Sequence, residues 1–346
     1  MRGDKHIRFW LISILLSLII FSGCRATTPI DSTVIPSKEP VADPDITVEV
    51  YVPSKACNGT TILADNHRRE RPRIIEVDME GKIIWEYVLP LSLRQYTNPG
   101  FDVEPLPNNN ILFALPGNGI YEIDRQGNVI WSHLDPKVSH DVDRLPNGNT
   151  LYVYGNDDKK TDAQVKEVDP SGRLVWSWYA MDEFDKPPYR NIYEQGWTHT
   201  NAVTRMENGN TLISPRNFGC LIEVDPQGNV IRIIGKDYLE HQHDPEVFPN
   251  GNILLANHAN PHEILEIDPE AEEIMWRFAI LQRRTWPVRD ANRLPNGNIL
   301  ITGTTHLFEI TPEKELVWLL ALKNVSFESP REAPALGFYK AERIPK

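Results

Sequence analysis

One seven-residue phrase recurs along this chain, and it constrains the fold more than any other feature. It reads Leu106-Pro107-Asn108-Asn109-Asn110-Ile111-Leu112, Leu145-Pro146-Asn147-Gly148-Asn149-Thr150-Leu151, Met206-Glu207-Asn208-Gly209-Asn210-Thr211-Leu212, Phe248-Pro249-Asn250-Gly251-Asn252-Ile253-Leu254 and Leu294-Pro295-Asn296-Gly297-Asn298-Ile299-Leu300. Asn-Gly between alternating apolar segments is a strong hairpin signal and predicts a type I′ turn. A second phrase accompanies each first one: Glu76-Val77-Asp78 with Trp85, Glu122-Ile123-Asp124 with Trp131, Glu167-Val168-Asp169 with Trp176, Glu223-Val224-Asp225 with Arg232, Glu266-Ile267-Asp268 with Trp276, and Glu309-Ile310-Thr311 with Trp318. Each of these reads as strand, tight turn, strand. A tryptophan at one place in nearly every unit is expected to pack between neighbouring sheets.

Two hairpins per unit of about 40–60 residues make a four-stranded antiparallel blade. With strands lettered A to D from the inside outward, blades 2 to 6 begin near Gly100, Ser139, His199, Gln242 and Val288. The first blade has strands B, C and D at Asn58–Asp65 and Ile74–Leu89 but no strand A before them. The C-terminal run Tyr339–Pro345 matches strand A elsewhere, with Arg343-Ile344-Pro345 standing where Arg144-Leu145-Pro146 stands. The expected fold is therefore all-β: a six-bladed β-propeller of four-stranded antiparallel blades, closed by the C-terminal strand completing blade 1. Closure of this kind removes open sheet edges from the ring. Met181–Thr198, Ile280–Pro287 and Leu322–Phe338 break the rhythm. All three join a strand D to the next strand A, so all three belong to one face.

The N-terminus reads differently. Met1–Arg8 is basic and Phe9–Phe21 is apolar, with the length of a signal-peptide core and shorter than a spanning helix. It ends in Phe21-Ser22-Gly23-Cys24, which resembles the lipobox of bacterial lipoproteins. The resemblance implies cleavage before Cys24 and lipidation of its thiol. Residues 1–23 are then a lipoprotein signal peptide, 24–50 the lipidated cysteine and a tether, and 51–346 the propeller. Ala26–Pro44, rich in Thr, Ser, Pro and Asp, is expected to be flexible. Arg25 in place of Asp favours the periplasmic face of the outer membrane or the cell surface. The whole chain carries a formal charge of −12, which disfavours nucleic acid as a partner. Cys57 and Cys220 fall in blades 1 and 4 and are expected to be free thiols.

Six residues before the hairpin proline, or before Glu207 where blade 4 lacks it, lie Phe101, His140, Asn201, His243, Arg289 and Tyr339. Strand A lines the channel, so these side chains are expected to form one ring at the mouth that carries the long loops. Alternation along a strand adds His199 beside Asn201 and His241 beside His243. Arg216, at the end of strand B in blade 4, belongs to the same mouth. A purely structural ring would repeat one residue. Asp102, Asp141, Asp244 and Asp290, one position later, do repeat and read as scaffold bonding backbone amides. The varied polar ring reads as a site. Histidines near neutrality serve as nucleophiles and acid–base groups, and arginine forks match tetrahedral oxyanions. Zinc is the rival occupant of three histidines, but the arginines oppose a cation and no carboxylate obviously points inward. No metal and no cofactor are expected.

These residues resemble a known family, the bacterial aryl-sulfate sulfotransferases (arylsulfotransferases), exported six-bladed propellers that use a sulfohistidine intermediate. The resemblance rests on His199-Thr200-Asn201 with Arg216, flanked by His140-Asp141 and His243-Asp244. It implies sulfuryl transfer from an aryl sulfate donor to a phenolic acceptor by a ping-pong route. It makes His243 the nucleophile, gives His140 and His199 acid–base or hydrogen-bonding roles, and sets Asn201, Arg216 and Arg289 to hold the sulfuryl oxygens. Spacing alone does not choose between His243 and His140. Trp197, Tyr189 and Tyr193 are placed either to stack on aryl rings or to pack the loop. Two other readings fit the repeat: a non-catalytic envelope propeller that binds a protein or polysaccharide, and a quinone-dependent dehydrogenase sharing the Asp…Gly…Trp phrase.

Overall fold

In the computed structural model, residues 33–98, 100–281, 285–323, 325 and 336–346 are described. Six antiparallel sheets contain all the described strands. In blades 2 to 5 the strands follow sequence order from the channel outward. Blade 4, for example, runs Thr200–Arg205, Thr211–Pro215, Leu221–Val224 and Val230–Ile234. Each innermost strand touches the next, and the ring closes through Phe338–Pro345 against Gly59–Asp65. The C-terminal strand thus completes blade 1 as the repeat predicts.

The hairpins differ from expectation in one detail. Only one residue per turn has positive φ: Gly148 (85°), Gly209 (87°), Gly251 (89°), Gly297 (86°), and Asn109 (67°) where the phrase lacks glycine. Leu145 N–H donates to Asn149 O at 2.9 Å, and Gly148 N–H to Leu145 O at 2.9 Å. This is a three-residue loop whose last residue is left-handed, not a two-residue type I′ turn.

The repeated side chains tie neighbouring blades together. Trp85 donates its indole N–H to Arg125 O (2.9 Å), Trp131 to Pro170 O (2.9 Å), Trp176 to Pro226 O (3.1 Å), Trp276 to Pro312 O (2.8 Å) and Trp318 to Met79 O (2.9 Å). In every case the acceptor belongs to the outer turn of the next blade. Arg232, where blade 4 lacks the tryptophan, reaches Glu270 of blade 5 instead. The repeated glutamate has two duties. Glu167 accepts from Asn149 of its own hairpin at 2.6 Å and from Arg205 of the next blade at 2.7 Å. Arg343 pairs with Glu309 across the closing seam at 3.3 Å with both side chains buried, and stacks over Trp318. A buried clamp of this kind gives register as well as attraction, because a shifted blade would strand the charge.

The tether reading needs correction. Within 24–50, Thr33–Val41 pairs with the outer strand of blade 1 (Ile83–Val88), and Ile46–Tyr51 pairs with the outer strand of blade 6 (Leu316–Leu322). Both sheets are therefore five-stranded. Thr47-Val48-Glu49-Val50 alternates, and its unpaired backbone groups find partners on an exposed sheet edge. Cys24 and the signal-peptide segment lie outside the described residues. Among the described residues no helix is long and apolar enough to cross a membrane. Cys57 and Cys220 are free and buried.

Candidate functional site

Strand A of blades 4, 5, 6 and 1 carries a register shift where it enters the sheet, at Thr200/Ala202, His243/Glu246, Val288/Asp290 and Phe338/Ala341. A bulge re-aims successive side chains. In blades 2, 3, 5 and 6 the ring residue is followed by an aspartate, and in blade 1 by Lys340. The two sets separate by chemistry into two regions.

The first region holds the imidazoles. His140, Asn201, His243 and Arg289 are all buried. His140 lies 4.8 Å from His199, ring centre to ring centre. Asn201 donates to the carbonyl of Gln242, next to His243, at 2.8 Å and leaves its Oδ1 buried with no partner among the described residues. His140 Nδ1 is likewise buried and unpartnered. Orphaned groups on two sides of one ring are what a polar ligand would satisfy. The charges of Arg216 and Arg289 both act on His140 and on His243, so the predicted residues of blades 3, 4, 5 and 6 converge.

Backbone strain places two of them. His199 and His241 stand two residues before the ring position, each at φ 47°. Blade 1 fills the same place with Gly337 (φ 109°). Left-handed histidines cost about 1 kcal/mol or more each and persist where the surroundings over-determine them. Simple alternation therefore does not aim these rings; the left-handed turn does. For His199 the determinant is Asp158, fully buried in the preceding blade. It accepts from His199 N–H (3.1 Å), Thr198 N–H (3.1 Å), Thr198 Oγ1 (2.8 Å) and Gln164 Nε2 (3.0 Å). Gly196 makes this approach possible, since a Cβ there would lie 2.4 Å from Asp158 Oδ1.

Tautomers follow from the backbone. His243 Nδ1–H donates to His241 O at 2.8 Å, and His199 Nδ1–H to Gln195 O at 2.9 Å. Both leave Nε2 with its lone pair. Arg216 follows strand B of blade 4 and donates from Nη2 to His241 Nδ1 (3.2 Å) and to Glu194 (3.1 Å). Glu194 comes from the long loop, which Asn217 fixes by donating to the carbonyls of Glu194 and Gly196. A carboxylate does therefore face the cluster, contrary to the sequence reading.

Two histidines were missed. His258 follows strand B of blade 5 just as Arg216 follows strand B of blade 4, and that equivalence was the available signal. The rings of His243, His258, His262 and Trp286 stack in series at 4.2, 4.2 and 4.1 Å. His258 Nε2–H donates to Val288 O, the residue before Arg289, at 2.5 Å. Trp197 and Tyr189 are buried against Phe218, the latter also against Phe184, so they pack the loop. Tyr193 is exposed and bonds Asp157.

Burial, reinforced by neighbouring positive groups, pushes every imidazole of the cluster down: His199 and His262 to about 4, His140, His243 and His258 well below the usual range. Burial also lowers Arg289, to about 10; its guanidinium lies 4.8 Å over Tyr339. The cluster is a set of neutral imidazoles between two arginines. Among the described residues the one group spaced for a metal is Asp43, Asp45 and His67, away from the ring and already engaged by Arg68.

The second region is acidic. A cavity of about 380 Å³ is lined by Asp102, Glu104, Asp141, Asp143, Asp244, Glu246 and Glu342, with Lys340 among them. The scaffold reading of the repeated aspartates holds for three: Asp102 accepts from Val142 N–H, Asp141 from Val203 N–H and Asp290 from Ala341 N–H, each in the next blade. Asp244 instead pairs with Lys340 at 2.6 Å.

The fold is that of a six-bladed β-propeller with a cluster of imidazoles and two arginines at its channel. The Arylsulfotransferase (ASST) family matches residues 46–239, more than half of the chain, and the chain belongs to that family. The match holds His140, His199, Asn201 and Arg216 and ends before His243. None of the curated proteins matches. Among solved structures the chain is similar to a protein of unknown function from Bacteroides caccae (17% identity, TM-score 0.58, 82% of this chain and 98% of that one). It is also similar to a virginiamycin B lyase from Staphylococcus aureus with quinupristin (11%, 0.51, 79% and 87%). These likenesses are of fold.

Proposed function

We propose that this chain transfers a sulfuryl group from an aryl sulfate to a phenolic acceptor, with His243 as the covalent carrier. The observation that carries the reading is the tautomer: the Nδ1–H to His241 O bond points the lone pair of His243 Nε2 away from the backbone in a water-poor site, between two arginines. Nε2 attacks sulfur, the S–O(aryl) bond breaks, and the aryl oxygen leaves with the bonding pair. Arg216 and Arg289 supply preorganised charge and hydrogen bonds for the sulfuryl oxygens. Asn201 would donate to them only after turning its amide from Gln242, and its unpartnered Oδ1 accepts from the acceptor hydroxyl in the present pose.

In the second half the acceptor oxygen attacks sulfur and the S–N bond breaks, returning neutral His243. The acceptor's proton goes to His140 or His199, whose Nε2 is free to take it. The histidine that took the proton returns it to the next leaving phenolate; a bound anion beside it raises its proton affinity above that of the empty site. Two half-reactions through one covalent carrier give ping-pong kinetics. We further propose that lipidation at Cys24 holds the enzyme to the envelope membrane after export.

The test is transfer from 4-nitrophenyl sulfate to phenol by the 26–346 fragment. Phenol-dependent nitrophenolate release that disappears in His243→Ala is expected. No release across several donors and acceptors, from folded protein, would overturn the reading in favour of a binding propeller.

A further inference from the structure

Glu194 is the carboxylate, among the described residues, that touches the imidazole–arginine cluster. Its Oε1 lies 3.1 Å from Arg216 Nη2, and its Oε2 lies 3.5 Å from His241 Nε2. Burial is the largest single influence and opposes its charge, but the Arg216 bond, the Arg216 charge and the neighbouring His241 and His199 together outweigh it and hold Glu194 below the usual carboxylate range, so it is ionised at neutral pH. Glu240 also acts on His241, but from an exposed position and with its side chain touching none of the cluster.

The charges at the site then balance simply. Arg216 and Arg289 contribute two positive charges, Glu194 one negative, and the buried imidazoles none. One positive charge remains. A sulfate monoester brings one negative charge. A phosphate monoester has the same tetrahedral shape and the same acceptor oxygens, but near pH 8 it brings two, its second proton leaving near pH 6. Shape and hydrogen bonding cannot separate the two esters; charge can.

We propose that Glu194 is a specificity-determining residue that sets this site for monoanionic sulfate esters and against dianionic phosphate esters. The inference rests on the sulfuryl-transfer reading of the same site. Glu194 acts by cancelling half of the arginine charge and by standing as a like charge beside the ester's third oxygen. Its side chain is 55% exposed, so solvent screens the effect, and about a fivefold discrimination is the scale to expect.

The experiment is calorimetric binding of 4-nitrophenyl sulfate and 4-nitrophenyl phosphate at pH 8 to the 26–346 fragment carrying His243→Ala, which prevents turnover. The sulfate should bind more tightly than the phosphate. Adding Glu194→Gln should narrow the ratio about fivefold, chiefly by strengthening phosphate, and Glu194→Asp should restore it. An unchanged ratio in a Gln variant that still binds the sulfate would overturn the inference and leave the sulfuryl reading standing. Failure of the Glu194-containing protein to bind the aryl sulfate at all would overturn that reading itself.

Discussion

The Nδ1 nitrogen of His243 donates to the backbone carbonyl of His241 across 2.8 Å, and His241 is itself held left-handed at φ 47°. The bond fixes which ring nitrogen can react. His140 has no such bond, and its Nδ1 is unpartnered. Incubation with donor and no acceptor should therefore leave one sulfuryl group per chain, on the peptide that holds His243. Peptide mapping at alkaline pH, where the S–N bond survives, reads this directly. A label on the His140 peptide would exchange the two roles.

The imidazoles are pushed down by burial, and that sets the pH dependence of turnover. A nucleophilic histidine of ordinary pKa would lose activity as pH falls through about 6.5. His199 and His262 lie at about 4 and His243 well below its usual value, so the neutral, reactive form persists to lower pH. For 4-nitrophenyl sulfate, whose leaving group needs no proton, kcat/KM should show no acidic limb near 6.5 and stay level from pH 8 to about 5, above the values of about 4 at His199 and His262. An acidic limb at 6.5 would show that water reaches the cluster. Stability follows the same sign. The unfolded chain takes up protons at these histidines before the folded one does, so their contribution is present above 6.5 and is lost as pH falls toward 4.

Asp158 binds no ligand in the proposed mechanism, yet His199 depends on it. Its carboxylate takes two backbone N–H groups, a hydroxyl and an amide. Asp158→Ala leaves these donors buried without an acceptor and should cost about 2–3 kcal/mol, read as a lower urea midpoint. kcat should fall more than KM rises, because His199 loses its position while the arginines keep theirs. Asp158→Asn retains one accepting oxygen and should show a smaller loss in both measurements.

Much of this was legible because the repeat is physical. The hairpin phrases located the blades, and Arg343-Ile344-Pro345 located the closing strand, since a propeller blade without strand A has nowhere else to find one. The ring residues were legible by counting back from the hairpin proline. The turn type was misread because Asn-Gly is shared by two hairpin geometries, and the proline before it favours the longer one. The outer strands at 33–41 and 46–51 were hidden because edge strands that add to an existing sheet need little apolar surface of their own. Glu194 was illegible because a loop position has no register to count from. His258 was overlooked because the count was carried along strand A, and the same rule applied to the end of strand B in blade 5 would have reached it.

Lys340 sits among carboxylates: 2.6 Å from Asp244, 3.5 Å from Asp141 and 3.6 Å from Asp102, all poorly exposed. Burial raises its neighbours, Asp141 to about 8 and Glu342 to about 8, and Lys340 opposes that rise in each. Lys340→Met removes the cation and keeps the volume. It should destabilise the propeller by about 3–5 kcal/mol at pH 8, because negative charges are then left buried without compensation. The sign of the pH effect is fixed by the raised pKa values. A carboxyl group raised in the folded state adds stability that is fully present below about 4 and is lost as pH climbs to its folded value. The variant's carboxyls, raised further by the loss of Lys340, shed their charge on folding by taking up protons that the unfolded chain does not hold, an uptake that costs little at pH 5 and much more at pH 8. Urea unfolding at the two pH values should therefore show a large deficit at pH 8 and a much smaller one at pH 5. An equal deficit at both would mean that Lys340 contributes through packing and not through its charge.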